Sequence, residues 1–220
     1  MDPSRLDHVA FWVADRAPIV ERCERWLGMH VIDEQENFTL VGTDARHGKL
    51  TLFDAPGPRE QGALVRIGLR VSDLEHARRA LPEGTPDTFD LGEGLMVRLV
   101  EADTAVEFDL DHVVLLSAAP DAAAIDYERL GFIRRDGARL EVGGADIELV
   151  LGDPGPVERP LLNHLAVLVD SADDHEAEAR SAGIEVESTV DAANTRAVFL
   201  WAPDGVRVEY VEHKSTFSLS

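Results

Sequence analysis

A single cysteine, Cys23, stands among the 220 residues, so no internal disulfide can form and the chain suits a reducing compartment. Basic side chains are scarce: 21 Lys and Arg against 42 Asp and Glu give a formal net charge of −21. Such a surface repels phosphate backbones and anionic lipid, which argues against nucleic acid and membranes as partners and mainly favours solubility. Long apolar runs are missing; none approaches the roughly 20 residues of a helical membrane span. The chain does not open on a basic segment followed by an apolar one, so no signal peptide is read and a cytoplasmic location is expected. What is present, 45% hydrophobic residues, suffices for the packed core of one or two compact domains.

The chain is a repeat. Leu6-Asp7-His8-Val9-Ala10 returns as Leu110-Asp111-His112-Val113-Val114, and a third opening runs Asn163-His164-Leu165-Ala166. Each opening leads into a strand, a helix and further strands, giving a β-α-β-β-β order. In the first module, strand His8 to Val13 precedes a helix from Pro18 to Leu27 stopped by Gly28, then strands at 30–33, 38–41 and 50–53. The second, about 63–102, has a strand at 65–71, a helix at 74–81, strands near 87–91 and 95–100, and Arg66 at the histidine position. The third has a strand at 112–116, a helix at 120–130 ended by Gly131, and strands at 132–134, 139–142 and 146–151. The fourth has its strand from His164, a helix at 173–182 before Gly183, and strands at 185–187, 197–200 and 207–211. Pro56-Gly57-Pro58 and Gly152-Asp153-Pro154-Gly155-Pro156 read as linkers. Their matching places predict two domains of two modules each, residues 1–106 and 107–220. The expected class is α+β, with helices on one sheet face and a cavity on the other.

Strand alternation places His112 with Val114 and Leu116, Glu148 with Val150, His164 with Ala166, and Glu209 with Arg207 and Val211. If the third and fourth modules pair, two imidazoles and two carboxylates converge, a set that suits a divalent transition metal with open coordination positions. The first pair offers Thr51 at the place of Glu209, and its second module offers Arg66 and Arg98. With no carboxylate and two cations, it is expected to be a metal-free scaffold in which His8 tolerates mutation. Arg139, Arg196 and Arg207 are candidates for holding an anionic substrate group, and Phe199, Trp201 and Trp12 for lining a pocket.

The four modules, the first-strand histidines and the ending Pro203-Asp204-Gly205-x-x-x-Glu209 resemble the vicinal oxygen chelate superfamily. That superfamily includes glyoxalase I, extradiol dioxygenases, methylmalonyl-CoA epimerase, and fosfomycin and bleomycin resistance proteins. The resemblance implies paired-module domains with curved mixed sheets around a cavity, and a metal held by His112, His164 and Glu209, with Glu148 as a glyoxalase-like fourth ligand. It implies nickel, cobalt, zinc or manganese, and proton transfer through a metal-bound enediolate with Glu148 or Glu209 moving the proton. The alternative it offers is ring-cleaving dioxygenation with Fe(II). Against that pattern, Phe199 stands where those enzymes carry tyrosine, and Asp191 to Arg196 contains no histidine. His47, His76, His175 and His213 do not stand where the acid/base histidine is expected. A third option on the same fold is a drug-binding protein without turnover. The expected partner is a small-molecule substrate, and the resemblance leaves room for a homodimer.

Overall fold

Local chemistry sets the helix ends. Asp15 precedes helix α1 (Arg16–Leu27) and accepts the Ala17 N–H at 3.1 Å, and Gly28, at φ 62°, closes the helix. The computed structural model describes residues 1–218. The first module holds β1 (Arg5–Val13), α1, β2 (His30–Glu34), β3 (Phe38–Gly42) and β4 (Lys49–Asp54). The second holds β5 (Leu64–Val71), a short α2 (Leu74–Arg78), β6 (Thr88–Asp90) and β7 (Met96–Glu101). The third holds β8 (Asp109–Ser117), α3 (Pro120–Arg129), β9 (Ile133–Arg134), β10 (Arg139–Val142) and β11 (Ala145–Leu151). The fourth holds β12 (Leu162–Leu168), α4 (Ala172–Ser181), β13 (Val186–Asp191), β14 (Thr195–Trp201) and β15 (Arg207–His213). The α+β class and the module order are as the sequence indicates. Helix α2 ends three residues before the expected Leu81.

The strands form two mixed sheets, ordered β13-β14-β15-β12-β1-β4-β3-β2 and β6-β7-β5-β8-β11-β10-β9. The first and fourth modules therefore share one sheet and the second and third share the other, joined through the antiparallel pairs β1–β12 and β5–β8. This corrects the expected division at residue 106. The Pro/Gly linkers are where the chain crosses from one sheet to the other, whereas residues 102–108 join two modules of the same sheet. All four first strands are similarly apolar, so strand pattern alone does not select their partners.

One buried cluster runs through both sheets and the helices, including Phe11, Ile19, Leu27, Phe89, Leu91, Tyr127 and Tyr210. Helix α1 of the first sheet's module reaches the second sheet: Trp26 meets Phe89 edge-on, and Arg22 Nη1 donates to the Leu91 carbonyl at 2.7 Å. From the other side, Tyr210 of β15 donates its hydroxyl to the Leu130 carbonyl at the end of α3, at 2.5 Å. The helices thus lie between the sheets, and each large side chain fully buried there contributes roughly 1.5–3 kcal/mol of transfer free energy. These helices pack on one face of the eight-stranded sheet and leave its opposite face uncovered by them.

Candidate metal centre

That opposite face carries a cavity of about 760 Å³. Its floor is the junction of the two modules, where β1 and β12 run antiparallel and each is flanked by its own module's last strand in parallel, β4 and β15. His8 opposes Ala166 and His164 opposes Ala10, so two histidines on neighbouring strands project to the same side with only alanines between them. Glu209 opposes Ala166 on β15, which completes a triangle. His8 Nε2 and His164 Nε2 are 3.1 Å apart, and Glu209 Oε2 lies 3.2 Å from the first and 2.9 Å from the second. Among the described residues, His8, His164 and Glu209 are the group able to hold a metal ion.

The donor set fits such an ion. With bonds of about 2.1 Å, two ligand atoms at right angles lie about 3.0 Å apart, and two at the tetrahedral angle about 3.4 Å. The observed edges of 2.9, 3.1 and 3.2 Å match one face of an octahedron. Two histidines and one carboxylate on such a face, with positions open beyond it, form the donor set of non-haem iron(II) sites. Both imidazoles present Nε2 because Nδ1 is engaged: His8 Nδ1 with Asp7 Oδ2 and His164 Nδ1 with Asn163 Oδ1, each at 2.9 Å.

Electrostatics follow from burial. Burial alone would raise the Glu209 pKa, but His164 and His8 beside it hold its carboxyl well below the usual carboxylate range. For His8, burial opposes the charge, yet the Asp7 and Glu209 carboxylates outweigh it and raise the pKa. For His164 burial wins over the attraction of Glu209, and the pKa falls. Asp7, only 1% exposed, is kept ionised against its burial by Lys49 and by His213 and His8.

The structure brings together two of the four expected ligands, His164 and Glu209, and replaces the other two by one. His112 and Glu148 lie on the other sheet, near Arg66 and Arg98: His112 opposes Gly68, Arg66 opposes Val114, Glu148 opposes Val114 from β11, and Arg98 opposes Gly68 from β7. The cations assigned to the neighbourhood of His8 are in fact neighbours of His112, which makes that position unsuited to a metal. His8, expected to be a remnant, is a member of the triad, and Thr51 occupies the place of a fourth ligand. Of the substrate candidates, Phe199 and Arg207 line the cavity with Trp12. Arg139 pairs with Asp146 on the other sheet, and Arg196 pairs with Asp173 away from the cavity lining. Trp201 lies outside the lining as well.

Sequence reasoning missed Asp7, Asn163 and Lys49, because strict alternation puts Asp7 and Asn163 on the face opposite the histidines. The register shows why they turn inward. Asp7 is an extra residue between the pairs Leu6–Val167 and His8–Ala166, and Asn163 an extra residue between Ala10–His164 and Phe11–Leu162. Such bulges re-aim a side chain. The matching bulge at Asp111 in β8 brings Asp111 Oδ1 to 2.7 Å from His112 Nδ1. The signal available in the sequence was the recurring Asp or Asn directly before each histidine.

No protein-family model matches the sequence, and comparison with curated proteins returned no match. Solved structures do match. A provisionally assigned dioxygenase from Bacillus subtilis subsp. subtilis str. 168 superimposes with a TM-score of 0.79 at 17% identity, over 98% of this chain and 87% of that one. Glyoxalase I from Zea mays gives 0.71 at 15% identity, over 94% and 92%. The cppA protein from Streptococcus pneumoniae TIGR4 gives 0.65 at 14%, over 96% and 98%. At these identities the likeness establishes the fold alone, that of the β-α-β-β-β modules in paired mixed sheets shared with these structures.

Proposed function

We propose that the protein is a divalent-metal-dependent enzyme of the vicinal oxygen chelate type, acting on a small substrate through two adjacent oxygens, with Fe(II) and ring-cleaving dioxygenation as the favoured chemistry. The observation that carries this reading is the His8–His164–Glu209 triangle with its 2.9–3.2 Å edges at the floor of a large cavity. A divalent ion held by His8, His164 and Glu209 would supply Lewis acidity to the substrate oxygens. The protein's own residues hold the ion and shape the cavity. Glu209 contributes the single negative charge and His8 and His164 neutral nitrogen donors. Trp12, Phe38, Phe53 and Phe199 form walls that exclude water and suit a flat ring; Phe53 and Phe199 also flank His164, with ring centroids at 6.1 and 5.3 Å.

The lining favours a substrate without an anionic tail. Its two cationic side chains are already engaged: Lys49 with Asp7 at 2.7 Å, and Arg207 with Glu187 at 2.8 Å and Asn163 at 3.0 Å. The guanidinium of Arg207 also lies 4.5 Å over the Phe199 ring. A neutral catechol fits these walls better than a charged thioester. The second reading, proton transfer of the glyoxalase type, is supported by the Zea mays likeness in fold. It is weakened by Thr51 standing where a second carboxylate would be needed.

Metal analysis of the protein reconstituted anaerobically with Fe(II), Mn(II), Ni(II) or Zn(II), followed by oxygen-electrode assays with neutral catechols, tests the reading. Oxygen uptake requiring Fe(II) or Mn(II), with ring-opened product, is expected. Turnover of dicarbonyl adducts with Ni(II) or Zn(II) and no oxygen uptake selects the second reading. A protein that binds none of the four ions overturns both.

A further inference from the structure

The two ligand histidines are held by the same arrangement built twice. Asp7 Oδ2 lies 2.9 Å from His8 Nδ1 and accepts from Lys49 Nζ at 2.7 Å. Asn163 Oδ1 lies 2.9 Å from His164 Nδ1 and accepts from Arg207 Nη1 at 3.0 Å. In each module the cation stands on the last strand directly opposite the histidine: Lys49 opposes His8, and Arg207 precedes the Val208 that opposes Leu165. In the module that lacks a metal set, the residue opposite His112 is the acidic Asp146, and the cation near its Asp111 is Arg70 of the adjoining module, 3.5 Å away, so a last-strand cation accompanies only the histidines of the triad. Asp7, Lys49 and Asn163 are 1%, 3% and 5% exposed, which fixes their geometry and gives each hydrogen bond a low-dielectric setting.

We propose that Asp7 with Lys49 and Asn163 with Arg207 are positioning residues for the metal centre, and that the charge on Asp7 makes His8 the stronger donor of the two imidazoles. The inference rests on the metal reading above. A guanidinium can only donate, so the Arg207 bond fixes which end of the Asn163 amide faces His164; the oxygen must then take the Nδ1 proton, leaving Nε2 bare. Lys49 does the corresponding work for Asp7 by offsetting the cost of a buried carboxylate. A carboxylate on Nδ1 raises the basicity of the ligating nitrogen, and a neutral amide does so less. The protein therefore presents one charge-assisted and one neutral histidine to the same ion.

Co(II) binding to the purified full chain, followed by its visible absorption and by competition titration, tests this without reference to turnover. The paired variant Asp7→Asn with Lys49→Met removes both buried charges while keeping an oxygen acceptor. It is expected to bind Co(II) about 10- to 100-fold more weakly, with a shifted ligand-field spectrum and unchanged metal-free circular dichroism. Asn163→Asp, whose new charge meets Arg207, is expected to bind Co(II) more tightly by about tenfold, toward the charged-acceptor case. Unchanged affinity and spectrum in either folded variant overturn the inference while leaving the metal reading intact. Should the paired variant not fold, Asn163→Asp decides alone. A wild-type protein that takes up no Co(II) overturns the metal reading and this inference with it.

Discussion

His8 Nε2 and His164 Nε2 face one another at 3.1 Å across the β1–β12 pair, although 156 residues separate them in the chain. The site is therefore shared between the two ends of the sequence and exists only when the outer modules meet.

That sharing predicts which substitutions remove the metal. His8→Ala, His164→Ala and Glu209→Ala should each abolish stoichiometric uptake after reconstitution, because each removes one of three protein ligands. His112→Ala and Glu148→Ala should keep it, since both residues lie on the other sheet. Elemental analysis of the five variants checks this; metal retained by His8→Ala would return the site to the third and fourth modules.

Thr51 opposes Ala10 as Glu209 opposes Ala166, so Thr51→Glu adds a carboxylate across the triangle. The metal-free variant should melt below wild type, because Thr51 is only 5% exposed and a second buried carboxylate there must share the two histidines with Glu209. Saturating Zn(II) or Ni(II) should reverse the order. Differential scanning fluorimetry with and without metal reads both shifts, and equal melting under the two conditions would contradict the placement of Thr51.

Asp111 gives a pH signature away from the cavity. The hydrogen bond with His112 lowers its pKa against partial burial, and the Arg70 charge adds to this. A depressed folded-state pKa means stability that is present above the unfolded value of about 4 and is lost as pH falls through the lower folded value. Asp111→Asn should thus be less stable than wild type at neutral pH, with the gap closing below about pH 4. Urea unfolding across pH 2 to 7 measures the gap, and a gap independent of pH would refute the assignment.

Gly143, at φ 53° in the turn between β10 and β11, lies so close to the N-terminal segment that a Cβ there would sit 2.0 Å from the Ser4 carbonyl oxygen. Gly143→Ala should cost on the order of 2 kcal/mol, since backbone rather than a flexible side chain must yield. Chemical denaturation checks the value, and a neutral result would show that the N-terminal segment packs elsewhere.

Cys23 is fully buried on α1, and burial pushes its thiol pKa up to about 12. It should resist alkylation in the native protein near neutral pH and react at the rate of unfolding in urea. Mass spectrometry of timed labelling tests this; rapid native labelling would place α1 away from the core.

Much of the fold was written in the chain. The β-α-β-β-β order, the glycine that ends α1 and the equivalence of Thr51 with Glu209 follow from apolar periodicity and turn chemistry, which are local and repeat with each module. The sign of the charge, the single cysteine and the histidines preceded by Asp or Asn were likewise there to read. Two decisions belonged to the tertiary structure. Which modules share a sheet depends on packing the helices between sheets, where Trp26 meets Phe89 and Tyr210 reaches Leu130; four first strands of like pattern do not encode that choice individually. The inward turn of Asp7 and Asn163 depends on bulges formed against the partner strand, so it has no local signature in alternation. The sequence by itself pointed to two histidines and two carboxylates as a metal set, His112, His164, Glu148 and Glu209; only the pairing of its outer modules decided that His8 stands beside His164 and Glu209, with His112 and Glu148 on the other sheet.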